Sequence, residues 1–454
     1  MFNNLRTLLT IGFLCALSAS CQGPSDQNKT GTKDSTVIVL KNLNLIDGTG
    51  SATVSGVDII IRQGLIAEIG KDLKADDAME VDYKGKTVMP ALISGHVHIG
   101  NLRDTTTVAS NYTRQNILAQ VEKYAAYGVL NVMVMGSDRA LLFENGFYDS
   151  LHDGKLNGAR VFSAGYGFGT PKGLPPFDLA MDNVNRPLNV EQAIQQVDSL
   201  VKLKPAMIKM WVDDGGGKFP KMDSAVSANI IIEAKKKGIS TAAHVFYQSD
   251  AKRLIRNGLK VIAHSIRDTI IDDELIELMK KNDVLYIPTL TLDEYAYIYG
   301  ESPSWMNNEF FKRSLEPGVF EMISSPAYQQ KTKTSPAYPS KVKAWRTAMA
   351  NLFKVYKAGI TVVMGTDSGA MPIRAQGFSE HRELQLLVQA GLTPLQAITT
   401  ATKNGALMLG IADRTGTIEK GKVADLLILE GNPSVDISNT KKIYKVYKAG
   451  IEVR

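Results

Sequence analysis

Histidines and one aspartate carry the main chemical signal in this sequence. Only six histidines occur in 454 residues, and two of them, His96 and His98, are separated by a single residue. In a β-strand, residues i and i+2 point to the same face, so both imidazoles could bind one metal ion. Asp367, within a Gly-Thr-Asp-Ser-Gly run, could join such a site or merely cap the following helix. Each signal is weak when taken alone.

The composition is that of an ordinary globular protein. Charged residues make up 22% and hydrophobic residues 44% of the chain, which is enough apolar material for a large core. The net charge of +6 is spread along the chain and disfavours a nucleic-acid partner. The two cysteines are Cys15 and Cys21, so the rest of the chain has no thiol for a disulfide, a zinc site or a nucleophile.

The elements that must position these side chains recur between residues 91 and 414. Short apolar runs alternate there with helical patterns. Eight candidate strands are 91–97, 129–135, 160–164, 206–212, 240–245, 260–263, 284–288 and 361–364. This pattern predicts an α/β fold of the (β/α)8 barrel type, whose chemistry lies at the C-terminal ends of the strands, with an open doubly wound sheet as the alternative. His244 and His264 end the fifth and sixth candidate strands and would converge on the same mouth as the residues above.

Two further regions flank or interrupt the predicted barrel. Short β runs occupy residues 37–90, and the same texture returns at 415–454, which predicts a small β-sandwich built from both chain ends. Residues 289–348, within the barrel region 91–414, form a long aromatic-rich insertion that includes Trp305. Such segments commonly cover a pocket, so we expect a lid that shapes the substrate site.

The N-terminus is typical of a secretory signal. One basic residue, Arg6, precedes an apolar run, and small residues precede Cys21. The end of this run resembles a bacterial lipobox, in which the cysteine becomes lipidated. We therefore predict a signal peptide at 1–20, a lipid anchor at Cys21, a flexible tether at 21–36, and export as a bacterial lipoprotein to the periplasm or outer membrane. A plain cleaved signal with an incidental cysteine is the alternative.

Two parts of the chain resemble the amidohydrolase superfamily. Residues 88–98, VMPALISGHVH, resemble its first-strand signature, and the tail resembles it in GLTPLQA (391–397), ATKN (401–404) and GTIEKGKVADL (416–426). The resemblance covers nearly all of 37–454 and is closest to the imidazolonepropionase-like and prolidase-like group. It implies a split β-sandwich joined to a metal-bearing barrel.

The resemblance also implies a role for each candidate ligand. His96, His98 and Asp367 would hold one divalent ion, and His244 and His264 would hold a second. Asp367 would also take a proton from the hydroxide between the ions and pass it to the leaving nitrogen. Zn2+ is the expected metal for such His-rich ligation, and Mn2+ or Co2+ could substitute.

Lys209 matches the family lysine that carbon dioxide carboxylates so that it bridges the two ions. An apolar barrel interior would lower the pKa of such a lysine and favour the neutral amine that this chemistry needs. A lysine that reaches from the strand end to solvent is the alternative.

Several positions depart from the family pattern or have weaker interpretations. Ser94 stands where the family usually has an aspartate, which weakens the expected buried support of the first metal loop. The loop after the third strand lacks a histidine that is common in the group; Tyr166 could replace it as a substrate-binding group, although an aromatic there is more often packing. We expect His152 to be an exposed loop residue and His381 to be structural, near the start of the helix after the eighth strand.

Together these features predict a metal-dependent hydrolase that cleaves a carbon–nitrogen bond, an amide or a peptide, in a small substrate. A dipeptidase or N-acyl amino-acid hydrolase is favoured, because an envelope enzyme meets peptides and scavenged amides. Three alternatives stay open: a lactone, ester or phosphoester hydrolase on the same site, an imidazolonepropionase-like cyclic amidase, and a non-catalytic envelope binding protein. The expected partners are a small molecule and, through Cys21, the membrane, but no nucleic acid.

Overall fold

The computed structural model describes residues 37–453, and the structural statements below concern those residues. The predicted signal peptide at 1–20, the tether at 21–36 and the lipidation site Cys21 lie outside them. No helix within the described range is long and apolar enough to cross a bilayer.

The described chain alternates strands and helices, in agreement with the predicted α/β class. Its strands are β1 (Ile38–Leu45), β2 (Val54–Arg62), β3 (Leu65–Gly70), β4 (Met79–Asp82), β5 (Thr87–Pro90), β6 (Leu92–Val97), β7 (Leu102–Arg103), β8 (Thr106–Thr107), β9 (Val129–Val134), β10 (Arg160–Ser163), β11 (Ile208–Trp211), β12 (Thr241–His244), β13 (Val261–Ala263), β14 (Leu285–Ile287), β15 (Leu426–Leu429), β16 (Ile443–Lys448) and β17 (Ile451–Glu452).

The α-helices are α1 (Arg114–Ala126), α2 (Phe147–His152), α3 (Val190–Val201), α4 (Ser224–Lys236), α5 (Gln248–Arg256), α6 (Asp273–Lys281), α7 (Leu290–Tyr295), α8 (Glu309–Lys312), α9 (Val319–Ser324), α10 (Pro326–Lys333), α11 (Tyr338–Lys357), α12 (Phe378–Gln389), α13 (Pro394–Thr400) and α14 (Lys403–Leu409). Short 3-10 helices add Ala109–Asn111, Ala140–Phe143, Phe177–Leu179, Ile298–Glu301, Ser304–Asn307 and Ile437–Lys441.

Polar caps fix where several of the helices between strands begin. The side chains of Thr113, Asn189 and Asp272 each accept a hydrogen bond from a backbone N–H three residues ahead, at the start of α1, α3 and α6. Such a cap satisfies a donor that the helix itself cannot, and contributes roughly 1 kcal/mol. These helices therefore start at defined points after the strands that precede them.

Strands from both chain ends meet in one eight-stranded sheet. Its order is β17-β16-β15-β5-β1-β2-β3, with β4 also paired to β1. The antiparallel pairing of β15 with β5, from Leu426 opposite Pro90 to Leu429 opposite Thr87, joins the two ends. Apolar side chains from both ends share one buried cluster. The return of the C-terminus to the N-terminal strands is thus confirmed, while the sandwich form and the domain limits 37–90 plus 415–454 stay predictions.

Seven of the eight strands predicted in the central region are present. They form two parallel sheets, β10-β9-β6 and β11-β12-β13-β14. Every residue of β6, β9, β10 and β11 is buried, as is typical of parallel strands covered on both faces. Isolated parallel bridges link Phe168 to Met210, Tyr286 to Val362, and Val97 to Ser368.

The predicted eighth strand, 361–364, does not form a regular strand. Only Val362 bridges to the neighbouring β14, through Tyr286. On its other side the carbonyl of Met364 accepts a hydrogen bond from the N–H of Gly95 in β6 at 2.8 Å, but the N–H of Met364 donates to the carbonyl of Thr400 at the end of α13. The β-branched run therefore correctly predicted an extended segment. It did not predict that this segment lacks the continuous ladder of backbone hydrogen bonds of a regular strand.

The insertion 289–348 is helical and internally packed. It runs from the start of α7 into α11. Tyr299 and Phe311 are fully buried, and the ring centroids of Trp305 and Phe311 are 4.9 Å apart. Phe378 of α12 belongs to the same apolar cluster. The aromatic residues thus form a small core that fixes the segment against α12, while its expected role as a lid that shapes the substrate site stays a prediction.

Candidate metal centre

The predicted ligands lie where parallel strands end. His96 is the second-to-last residue of β6, and His98 directly follows that strand. His244 is the final residue of β12, and His264 directly follows β13. Asp367 follows the irregular eighth segment. Parallel strands present their C-terminal ends on one side, which brings side chains distant in sequence together.

A carboxylate and two imidazoles form the centre of the site. The Nε2 atoms of His96 and His98 lie 3.1 and 2.9 Å from Oδ1 of Asp367. All three residues are buried, and one donor atom from each lies within 4.8 Å of the others, close enough to hold one metal ion. The ring of His264 continues the cluster, with its centroid 4.6 Å from that of His96 and 4.2 Å from that of His244.

The backbone of residues 365–367 lies close to β6, the strand that contains His96. The N–H groups of Thr366 and Asp367 both donate to the carbonyl of His96, at 3.1 and 2.9 Å. A Cβ at Gly365 would lie 2.9 Å from the backbone N of His96, closer than real Cβ contacts allow. The glycine is therefore needed for Asp367 to reach the two histidines.

Lys209 is fully buried in β11. Its Nζ has no hydrogen-bond partner among the described residues and lies 4.6 Å from the centroid of the Trp211 ring. Burial lowers the pKa of Lys209 from 10.5 to about 7, although Asp367 and Asp213 oppose the shift. The alternative of a lysine that reaches solvent is excluded by this burial.

Burial favours the metal-binding form of three histidines, because it lowers the pKa of His96, His244 and His264. It lowers the pKa of His96 to about 3, helped by the nearby Lys209. Burial likewise lowers the pKa of His244 and holds that of His264 well below 6.5. Neutral imidazoles leave a lone pair free, which is what a divalent ion requires.

Hydrogen bonds from neighbouring strand ends orient two of the rings. Nδ1 of His98 lies 2.6 Å from Oγ of Ser137, and Nδ1 of His264 lies 2.8 Å from Oγ1 of Thr289. With Nδ1 engaged, Nε2 of each ring is left for the centre of the cluster, an arrangement common around metal-binding histidines.

Asp213 is a buried carboxylate that the sequence analysis missed. Its Oδ2 lies 2.9 Å from Nε2 of His244. Although burial raises the pKa of Asp213, His244 and a backbone hydrogen bond from Gly215 outweigh it and hold the pKa at about 2. Its position four residues after Lys209, just past the end of β11, is a sequence signal that could have suggested it.

Arg374 is a second residue that the sequence analysis missed. Its Nη1 contacts Oδ2 of Asp367 directly. Burial alone would raise the pKa of Asp367, but Arg374 and the two histidines hold it well below the usual value. Asp367 is therefore an ionised carboxylate in the described structure.

Glu380 explains how the site tolerates serine at position 94. Its Oε1 accepts hydrogen bonds from Ser94 at 3.1 Å, Thr366 at 2.7 Å and Ser368 at 2.9 Å. Oε2 accepts one from the N–H of Gly377 at 2.9 Å. The buried carboxylate thus comes from α12 and ties the first strand to both neighbours of Asp367.

The remaining predicted residues lie outside this cluster or have other partners. Tyr166 is half-buried and packs edge-on against Phe143, with ring centroids 5.9 Å apart, which matches the packing alternative. His381 is buried in α12, and its Nε2 lies 2.9 Å from the carbonyl of Tyr127, as expected for a structural histidine. His152 is not an exposed loop residue: it ends α2 and packs 4.7 Å from the ring of Phe162.

The donor set fits divalent metal ions. Both ring nitrogens of His96 and Nζ of Lys209 are buried without a hydrogen-bond partner in the described structure. Unsatisfied buried polar atoms are costly, and a ligand is one way to satisfy them. Neutral imidazoles with one ionised carboxylate are ligands that suit zinc and related metals.

Comparison with known sequences decides the family. The sequence model of the amidohydrolase family matches residues 87–453. The chain belongs to the amidohydrolase family. The matched range contains all of the candidate ligands and their supporting residues.

Two named proteins illustrate what this amidohydrolase is similar to in sequence. The ochratoxinase of Aspergillus niger is 27% identical over 332 residues, which are 66% of this chain and 61% of the ochratoxinase. The match therefore spans less than two thirds of that relative. An imidazolonepropionase of Deinococcus radiodurans is 22% identical over 417 residues, which are 87% of this chain and 91% of that protein.

Solved structures share the fold. A crystal structure described as a Xaa-Pro dipeptidase with bound methionine in the active site superposes with a TM-score of 0.73 and 25% identity, covering 92% of this chain and 99% of that one. This agreement over nearly the whole chain confirms the α/β architecture of an amidohydrolase.

Proposed function

We propose that this amidohydrolase is a metal-dependent enzyme that hydrolyses a carbon–nitrogen bond, an amide or a peptide, in a small substrate. A dipeptide or an N-acyl amino acid is the favoured substrate. The observation that carries the proposal is the cluster of four imidazoles, three of them buried, and one ionised carboxylate at the ends of separate strands. Such a set of ligands has little structural purpose without a metal, because it leaves buried nitrogen atoms unsatisfied.

The named relatives support this reaction class. A Xaa-Pro dipeptidase with methionine bound in its active site acts on peptides and holds an amino acid. The imidazolonepropionase provides a second candidate, a cyclic amide, because its match covers 87% of this chain. We favour the acyclic amide because an exported enzyme, as the N-terminal sequence predicts, meets peptides and scavenged amides.

We also propose the finer architecture expected from the sequence. The parallel bridges from Phe168 to Met210, from Tyr286 to Val362 and from Val97 to Ser368 support closure of the two parallel sheets into a (β/α)8 barrel. This barrel would span 91–414. The sheet from 37–90 plus 415–454 would be a separate small β domain.

Two divalent ions, zinc by preference, fit the proposed centre. His96, His98 and Asp367 would hold one ion and His244 and His264 the other, with carboxylated Lys209 between them. When bound, the ions supply an acidified water and a positive field for the developing oxyanion. The neutral Lys209 amine can attack carbon dioxide, forming an N–C bond and releasing a proton, because burial lowers its pKa to about 7 and so raises the share of the neutral form.

The chain's own residues hold the reacting groups in place. Asp367 takes the proton of the attacking water and returns one to the leaving nitrogen. Ser137 and Thr289 keep the rings of His98 and His264 in fixed orientations. Glu380 accepts hydrogen bonds from Thr366 and Ser368, the two neighbours of Asp367, so the carboxylate of Asp367 keeps one position during the proton transfer.

The proposal includes export and a lipid anchor at Cys21. The support is the N-terminal sequence alone, since this part lies outside the described residues. A compartment outside the cytoplasm agrees with scavenged peptides and acylated amino acids as substrates.

Amine release from a library tests the reaction class. The library contains dipeptides, N-acyl amino acids and cyclic amides, and the protein is loaded with zinc or manganese. Asp367→Asn should lower turnover by about 10²–10⁴-fold, the usual contribution of a proton-transferring group, whereas His152→Gln, outside the cluster, should not change it. Release of no amine from any substrate, or equal turnover in Asp367→Asn, would reject the proposal.

A further inference from the structure

We propose that Arg374 forms a binding subsite for a carboxylate of the substrate, next to the scissile amide. The inference rests on the proposed function and deepens it, because it limits the substrates to those with a free carboxylate one carbon away from the scissile nitrogen. Dipeptides and N-acyl amino acids have this arrangement, whereas their C-terminal amides do not.

The position of Arg374 is fixed by its own backbone. It lies in the segment between Asp367 and α12, where the N–H of Gly369 donates to the carbonyl of Arg374 at 2.9 Å. The N–H of Arg374 donates to the carbonyl of Met371, also at 2.9 Å. This turn holds the guanidinium against Asp367 while 18% of the side chain stays exposed. Arg374 is thus at the boundary between the buried cluster and solvent.

A second arginine nearby has its charge fully compensated. Nε of Arg267 lies 2.8 Å from Oδ1 of Asp293 on α7, and its Nη1 donates to the carbonyl of Ser265 at 2.8 Å. The guanidinium also lies over the ring of Phe246, 4.8 Å from its centroid. Arg267 therefore forms the ion pair with Asp293, while Arg374 is close enough to Asp293 to help lower the pKa of that carboxyl group.

The carboxylate that pairs with Arg374 also has a role at the proposed metal centre. Among the described residues, Asp367 is the one carboxylate that forms an ion pair with it. Asp367 is also a proposed metal ligand and proton carrier, so its charge is shared when the metals are bound. Nε of Arg374 is buried and has no hydrogen-bond partner in the described structure. The guanidinium thus keeps an unused donor at the edge of the site, and its ion-pair partner also has a task at the proposed metal centre.

A substrate carboxylate meets both needs. The planar guanidinium can donate two parallel hydrogen bonds to a carboxylate, which gives orientation as well as affinity. Because Arg374 contacts Asp367, an anion bound to it lies beside the amide that Asp367 serves. A neutral amide at the same place could not accept this pair of charge-assisted hydrogen bonds.

Paired substrates test the subsite. Hydrolysis of an N-acyl amino acid and of its C-terminal amide is measured for the metal-loaded wild type, Arg374→Met, Arg374→Lys and the control Arg256→Met. Arg256 is a half-exposed residue of α5 that pairs with Glu274 away from the cluster. Because Arg374 also contacts Asp367, Arg374→Met should lower kcat on both substrates. Its loss in kcat/KM should be about 30-fold or more greater on the acid than on the amide, with the extra loss in KM, since charged hydrogen bonds to a ligand are strong. Arg374→Lys should be intermediate, and Arg256→Met unchanged.

Binding of the free amino acid gives a readout that does not depend on turnover. Arg374→Met should weaken binding of the product amino acid by a similar factor without weakening binding of its amide. Metal content is measured in each variant. Equal losses on acid and amide would overturn the subsite and leave Arg374 as a residue that positions Asp367. If the wild type cleaves neither substrate, the proposed function itself fails, and the subsite fails with it.

Discussion

At the scale of single residues, the site depends on burial that lowers the pKa of Lys209 and of three histidines. Lys209 is the clearest case, because a fully buried amine with no hydrogen-bond partner is otherwise unfavourable. Its burial is consistent with a use that consumes the neutral amine. Carboxylation would convert it to an anion that two metal ions stabilise.

Replacement of Lys209 separates a two-metal site from a one-metal site. If the carboxylated lysine bridges the ions, Lys209→Ala should lower the metal content from about two equivalents towards one and reduce turnover by about 100-fold or more. A short carboxylic acid added to the medium should restore part of the activity. Metal content is measured by mass spectrometry, with the exposed Lys280→Ala on α6 as the control. Two metals and near-normal turnover in Lys209→Ala would contradict the bridging role.

Sequence reasoning identified the strand-end residues but not their partners. His96, His98 and Asp367 could be selected because two-residue spacing and strand ends predict direction. Arg374 and Glu380 could not, because their contacts join segments that no periodicity connects. The metal-binding roles of the selected residues stay predictions, while their convergence is a property of the fold.

At the scale of elements, α12 is the support of the site. It contributes Glu380, which holds Ser94 on β6 and the two neighbours of Asp367, and Glu383, which holds the start of α7. The alternating strands and helices could be read from the sequence. The irregular eighth segment could not, because its β-branched run predicts a regular strand while the N–H of Met364 donates to the end of α13.

A double-mutant cycle tests the Glu380 support. Glu380→Gln should lower the free energy of unfolding by about 1–3 kcal/mol, because its amide NH2 group would face the N–H of Gly377, a second donor. Ser94→Asp alone should also destabilise, since it places two carboxylates side by side. The double variant should recover part of both losses, because one carboxylate remains to bind the shared hydroxyls. Denaturation and kcat are measured for all four proteins. Strictly additive losses would show that Ser94 and Glu380 act independently.

Glu383 should give a pH dependence of stability. Its carboxylate accepts hydrogen bonds from the N–H groups of Leu290 and Thr291 at 2.7 and 2.8 Å, yet burial raises its pKa from 4.5 to about 8. Because the folded pKa is the higher one, the stabilisation is complete below pH about 4.5 and is lost as the pH rises towards 8. The contribution to unfolding free energy changes by up to ~1.4 kcal/mol per pH unit in this window.

Glu383→Gln removes this titration. Its unfolding free energy should fall less than that of the wild type between pH 5 and pH 8, when both are measured by denaturant at each pH. Parallel curves for the two proteins would mean that Glu383 is already ionised at pH 5. The exposed Glu277→Gln on α6 serves as the matched control.

At the scale of the whole molecule, the two chain ends belong together. The pairing of β15 with β5 makes the C-terminal strands part of the sheet begun by β1. The sequence predicted this return from the matching β texture at both ends. It did not predict that the insertion 289–348 is a packed helical segment, because aromatic content alone does not distinguish a pocket lining from a core.

The proposed anchor makes a prediction about location. Cys21→Ser should release a soluble protein with unchanged turnover, because the anchor lies outside the catalytic region. Membrane and soluble fractions are compared by immunoblot and by amine release. Wild-type protein found wholly in the soluble envelope fraction would contradict lipidation at Cys21.

Titration of the metal-free protein with zinc tests the central claim most directly. Amine release from the best dipeptide or N-acyl amino acid is followed while bound zinc is counted per chain. The proposed site predicts activity that rises with added metal and stops rising at about two equivalents. Full activity without metal, or two bound equivalents with no hydrolysis of any amide, would contradict a metal-dependent carbon–nitrogen hydrolase.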